Sequence, residues 1–176
     1  MQKVILAFFV SLILIQALGQ TSKKLAIFLS TQYNKTISDR TLGNNPWGIG
    51  LGLQTFFNKK SKFKPMIDLT GDIYLENDKV LRQNADGSPI NDVRGMVNLF
   101  IGSSYHPIKS IYVSFVSGLS FINKQALIGI KPSLGFYFSK THRWTYKVSY
   151  INIFNRDKAT KENFNSFSLA FGIKLF

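Results

Sequence analysis

The segment Asn163–Phe176, N-F-N-S-F-S-L-A-F-G-I-K-L-F, constrains the fold more than any other stretch of this chain. Phe167, Leu169, Phe171, Ile173 and Leu175 recur at every second position, with Ser166, Ser168, Ala170, Gly172 and Lys174 between them. Successive side chains of a strand point to opposite faces, so the segment has one apolar face and one small or polar face. A helix of the same sequence would spread its apolar residues around the whole circumference.

The same alternation returns along the chain, separated by turn signals, and no segment after Gln20 sustains a helical period. Strands are predicted at Lys24–Tyr33, Trp47–Phe57, Phe63–Leu75, Gly95–Tyr105, Ser110–Phe121, Leu127–Phe138 and Arg143–Phe154, with the terminal segment as the eighth. Each has roughly the 9–11 residues that a tilted strand needs to cross a bilayer. Pro65 and Pro132 fall inside two of them, and a proline cannot donate to a ladder, so bulges or strand ends are expected there. The connections alternate in length. Asn34–Pro46, Glu76–Arg94 and Asn155–Asn163 are long and polar, whereas Asn58–Lys62, His106–Lys109 and Ser139–His142 are short. Asn123–Gln125 is a short link on the long side.

The start of the chain reads as an export signal. Met1-Gln2-Lys3 is basic, Val4–Ile15 is apolar, and Ala17-Leu18-Gly19 places small residues where a signal peptidase reads them. The apolar run is shorter than the about 20 residues a membrane helix needs. The expected division is therefore a signal peptide over 1–19 and one domain over 20–176. The absence of Cys removes disulfides, thiolate metal sites, Cys nucleophiles and lipid acylation of a cysteine. The formal charge of +13 is spread over loops, turns and strand interiors rather than gathered on one face. That pattern, in an exported chain, argues against nucleic acid and leaves two readings, attraction to anionic lipid headgroups or lipopolysaccharide phosphates, or simply a basic, solvated set of loops.

Alternation does not say which face is outside, because a soluble lipocalin-like barrel also alternates. Two features favour the apolar face outward. The opposite face is rich in Gly and Ser, suited to a narrow lumen filled by side chains. Aromatic residues also gather near strand ends, at Trp47, Phe57, Phe63, Tyr105, Phe121, Phe138 and Trp144, as at a membrane–water interface. Asp68, Asp72, Lys131, Lys147 and Lys174 then point inward, and buried charges are costly unless paired. At least one Asp–Lys pair is expected across the lumen as an ionic plug with negligible conduction. The expected fold is all-β: an eight-stranded antiparallel up-and-down transmembrane β-barrel behind a cleaved signal peptide.

Signal peptide, eight amphipathic strands, alternating connections and terminal Phe176 together resemble the small bacterial outer-membrane barrels of the OmpA/OmpX type. The pattern is also similar to the "outer membrane protein beta-barrel domain" proteins of Bacteroidetes, including the PorT-like group. The resemblance covers the whole mature chain and is architectural. It implies an outer-membrane location, contact with outer-membrane lipid and lipopolysaccharide, and recognition of Phe171, Ile173, Leu175 and Phe176 by the barrel-assembly machinery. Phe176 departs from the usual pattern, sharing its face with Lys174 and Gly172 while Leu175 continues the apolar row.

No catalytic, cofactor or metal motif is present. His106 and His142 both fall in predicted short turns, away from a rim where outer-leaflet lipid chemistry would occur. The run Asn84-Ala85-Asp86-Gly87-Ser88-Pro89 fails the EF-hand pattern at both ends and reads as an Asp-Gly turn. The expected function is a non-enzymatic barrel whose loops contact lipopolysaccharide, a surface or another protein. An accessory subunit of an outer-membrane secretion or assembly complex is the alternative. A lipid-modifying enzyme and a soluble periplasmic lipocalin-like barrel are disfavoured.

Overall fold

The computed structural model describes residues 25–37, 45–57, 61–74, 93–122, 125–138, 142–155 and 163–175. The expected signal peptide, the Asp-Gly turn and Phe176 lie outside them. Eight strands form one closed antiparallel barrel: β1 Leu25–Thr36, β2 Trp47–Phe57, β3 Phe63–Tyr74, β4 Gly95–Ile108, β5 Ile111–Ile122, β6 Gln125–Tyr137, β7 Trp144–Ile153 and β8 Phe164–Lys174. Each strand pairs with its sequence neighbours, and β1 closes on β8 from Phe28↔Lys174 to Thr36↔Ser166. Closure leaves no sheet edge, so every strand can satisfy its backbone groups on both sides.

The predicted segments match these strands in order and number, and differ at their ends. β1 runs on to Thr36 and β4 to Ile108, both beyond the expected Tyr33 and Tyr105. The prolines behave differently from expectation. The β3–β4 register passes through Pro65↔Ser103 without a shift. The β6–β7 ladder skips Lys131 and Pro132 but resumes at Ser133↔Ser149 in the same register as Ile130↔Asn152. Pro132 removes a donor there without inserting a residue. The register shift lies instead in β4–β5, between Tyr105 and Ile108, where Pro107 interrupts the ladder.

Connections 58–62, 109–110 and 138–143 share one end of the barrel, here called the short-turn end. Connections 37–46, 75–94 and 154–163 fall at the other end, with the two-residue link 123–124.

The lumen is layered. Near the short-turn end Phe28, Phe56, Met66, Phe100, Tyr112, Val116 and Tyr137 form an apolar plug. Near the other end Tyr74, Val93, Met96, Ile122, Ile151, Ile153 and Phe164 form a second plug. Buried polar and charged side chains lie between them along the strands. The inward face is therefore less uniformly small and polar than its Gly and Ser content implies. Glycines admit the large rings: a Cβ on Gly135 would lie 2.0 Å from Tyr112 Cζ, and one on Gly48 would lie 2.8 Å from Tyr74 Cδ1.

Candidate functional site: an apolar belt around a sealed, charged interior

The outer surface is apolar on every wall. Leu51, Ile101 and Phe115 are 66%, 61% and 56% exposed, although each lies mid-strand. A water-facing wall would carry polar residues at such positions, and a contiguous apolar surface of this kind marks contact with a partner or a membrane. The expected interface aromatics all lie on this outer side. At the short-turn end Phe63 packs on Tyr105 at 4.8 Å, and Trp144 stacks on Phe171 at 5.2 Å. Phe57 and Phe138 join them as exposed residues. At the opposite end Trp47 stacks on Tyr33 at 5.1 Å, with Lys35 Nζ 4.8 Å over its ring, and Phe121 is exposed. Within the terminal row, Phe171 and Leu175 are exposed and Ile173 is half-buried.

Inside, β3, β6 and β7 converge on one carboxylate. Asp68 Oδ2 lies 2.8 Å from Lys147 Nζ, which donates a hydrogen bond, and 3.2 Å from Lys131 Nζ. All three are almost completely buried. Asp68 is thus the shared counter-ion of two lysines. This pairing offsets the large cost of removing each ion from water.

Asp72 is held by amides rather than by an ammonium. Asn34 Nδ2 donates to Oδ1 at 2.6 Å, Gln32 Nε2 donates to the same oxygen, and Asn98 Nδ2 donates to Oδ2 at 3.2 Å. Gly50 makes room for this carboxylate, because a Cβ there would lie 2.1 Å from Oδ1. Lys174 does not join the cluster: among the described residues it makes no ion pair, and it is half-buried at the short-turn end. Its inward position was legible, but its depth along the barrel was not.

The histidines correct the sequence expectation. His106 is not a turn residue. It lies within β4, buried in the lumen, stacked on Tyr112 at 5.3 Å and Tyr137 at 6.1 Å, with Phe56 edge-on at 5.6 Å. The added residues of β4 beyond Tyr105 carry it there. His106 Nε2 lies 3.0 Å from Ser104 Oγ, a pairing that superficially suits a nucleophile and its base. The Ser104 hydroxyl also lies 3.3 Å from the Lys64 carbonyl, and when it donates there the imidazole N–H is the donor to Ser104 Oγ. Both groups are buried. His106→Ala is expected to cost about 2–4 kcal/mol by opening a cavity in the plug. His106→Phe should recover most of that loss. Urea titration of the refolded barrel would check this, and equal losses for both variants would show that the ring is not what matters.

His142 occupies the connection before β7 with φ of 53°, and stacks on Tyr137 at 4.8 Å. Burial, then Lys174, Lys64 and Lys109, hold its imidazole below the ordinary histidine value of 6.5. The folded barrel accordingly binds this proton less readily than the unfolded chain. Its contribution to stability declines as pH falls below 6.5 and levels off below the folded-state pKa. A proton titration followed by NMR should place the His142 midpoint below 6.5; a midpoint above it would contradict the arrangement.

No family model matches the chain, and no curated protein matches its sequence. Solved structures do match its fold. Ail, the attachment invasion locus protein of Yersinia pestis, aligns with a TM-score of 0.54 at 11% identity, over 86% of this chain and 98% of that one. Neisserial surface protein A aligns with a TM-score of 0.52 at 13% identity, over 85% and 95%. A de novo designed transmembrane β-barrel aligns with a TM-score of 0.54 at 8% identity, over 88% and 98%. The fold is that of small eight-stranded membrane barrels.

Proposed function

We propose that this chain is a non-enzymatic integral protein of a bacterial outer membrane, exported on residues 1–19. The observation that carries this reading is the distribution of side chains: mainly apolar outward along the strands, aromatic at both rims, with exposed charge near the strand ends and buried Asp68, Asp72, Lys131 and Lys147 in the lumen. An apolar wall of this kind is unfavourable in water and favourable in hydrocarbon. A lipocalin-like carrier would need the reverse arrangement. The plugs at both ends of the lumen argue against a pore. Function then rests with the connections 37–46, 75–94 and 154–163, facing the cell exterior and contacting lipopolysaccharide, a surface or another protein. The row Phe171, Ile173 and Leu175, continued in sequence to Phe176, would serve recognition by the assembly machinery during insertion.

The resemblance to PorT-like proteins supports a second reading, an accessory subunit of an outer-membrane secretion or assembly complex. Stoichiometric co-purification of partners would select it. The primary test is a denaturing gel of membrane fractions with and without boiling. A closed barrel remains folded in detergent until heated, so the band should shift on boiling and the protein should sediment with the outer membrane. A soluble periplasmic protein with no shift would overturn the reading.

A further inference from the structure

The charge of this chain is divided unevenly between the two ends of the barrel. Apart from Asp68 and Asp72 in the lumen, every Asp and Glu falls in the connections 37–46, 75–94 and 154–163, where Lys and Arg are also present. The short-turn end has no Asp or Glu side chain in any of its connections. Its described residues include Lys62, Lys64, Lys109, Arg143 and Lys174. His142, at the same end, has Lys174, Lys64 and Lys109 near enough to repel its proton, in addition to the effect of burial.

The position of these residues decides what they meet. Lys62, Lys109 and Arg143 are exposed. Each adjoins an outward apolar residue at the edge of the belt: Lys62 beside Phe63, Lys109 beside Ile108 and Arg143 beside Trp144. A soluble acidic ligand has no need of cations set at the border of a hydrocarbon-facing wall. Headgroup phosphates lie at that level, just beyond the depth reached by interfacial aromatics.

We infer that the short-turn end of the barrel is a docking face for anionic phospholipid headgroups, with Lys62, Lys109 and Arg143 as its contact residues. The inference rests on the membrane reading above and adds which leaflet lipid the barrel selects. Lys64 and Lys174, inward at the same mouth, add to the attractive field. The mixed charges of the opposite end give no matching preference. Each surface cation contributes about fivefold to the affinity of an anionic bilayer surface, and salt weakens the attraction within a Debye length.

The test uses the mature chain refolded into nanodiscs containing equal amounts of phosphatidylcholine and phosphatidylglycerol. Only preparations whose band shifts on boiling are used, because loss of the shift would overturn the membrane reading and this inference with it. Lipids retained on the extracted barrel are counted by native mass spectrometry. Phosphatidylglycerol should be retained roughly tenfold over phosphatidylcholine at low salt, with the preference shrinking as salt rises. The combined variant Lys62→Gln, Lys109→Gln and Arg143→Gln should fall to near parity while keeping the boiling shift. Lys35→Gln with Arg94→Gln, at the opposite end, should leave the preference in place. Parity in the unsubstituted barrel would overturn the inference, as would a preference that survives the triple substitution. Specific displacement by inorganic phosphate at matched ionic strength would assign the face to a free anion and overturn the lipid assignment.

Discussion

Replacing Asp68 with Ala should destabilise the barrel by about 3–5 kcal/mol, because two buried ammonium groups would lose their shared counter-ion. Lys147 Nζ and Lys131 Nζ both lie on one oxygen of Asp68, at 2.8 and 3.2 Å. Water cannot readily replace that oxygen between two apolar plugs. The cost belongs to the orphaned charges rather than to the bond itself. A variant that removes all three, Asp68→Leu with Lys131→Met and Lys147→Met, should therefore refold far better than Asp68→Ala, although it changes more residues. The measurement is the urea midpoint for loss of the boiling-sensitive band. An Asp68→Ala barrel as stable as the parent, or a triple variant worse than the single, would refute the role of Asp68 as shared counter-ion.

The second large effect is expected at Gly118 and Gly102 on the β4–β5 ribbon. A Cβ on Gly118 would lie 2.2 Å from the Leu99 carbonyl oxygen and 3.0 Å from Phe100 Cα. A Cβ on Gly102 would lie 2.2 Å from the Phe115 carbonyl oxygen and 2.8 Å from Val116 Cα. The obstruction in both cases is backbone, which cannot rotate away as a side chain can. Gly118→Ala and Gly102→Ala should each cost about 3 kcal/mol, the upper end of ordinary overpacking, and the pair together should abolish the folded band. Gly71 supplies the control, because a Cβ there meets nothing within 4 Å. Gly71→Ala should be neutral or slightly stabilising, through reduced freedom of the unfolded chain. Equal behaviour of all three variants in refolding would show that the close backbone approach is not what these glycines permit.

The interior illustrates how far sequence reading reaches. Asp68, Lys131 and Lys147 could be assigned to the inward face from parity alone, since a strand has only two faces. Parity gives no depth, however, and depth depends on strand tilt and stagger around the barrel. Asp72 consequently sits among Gln32, Asn34 and Asn98 rather than opposite a lysine, and Lys174 sits at the short-turn mouth. His106 was misplaced for a local reason. The sequence His106-Pro107 carries a turn signal, yet the strand accommodates the proline with a register shift and continues to Ile108.

Sequence by itself determined the number of strands, their antiparallel hairpin order, the alternation of connection lengths and the identity of each face. All of these follow from period-two patterning and turn residues, which act over a few neighbouring positions. Tertiary structure alone decided the register in which β1 closes on β8, the two apolar plugs, the meeting of Asp68 with lysines from both β6 and β7, and the burial of His106. Each of these joins residues far apart in the chain. Their separation inside the barrel is set by the stagger of eight paired strands, a property of the closed sheet that no single segment carries.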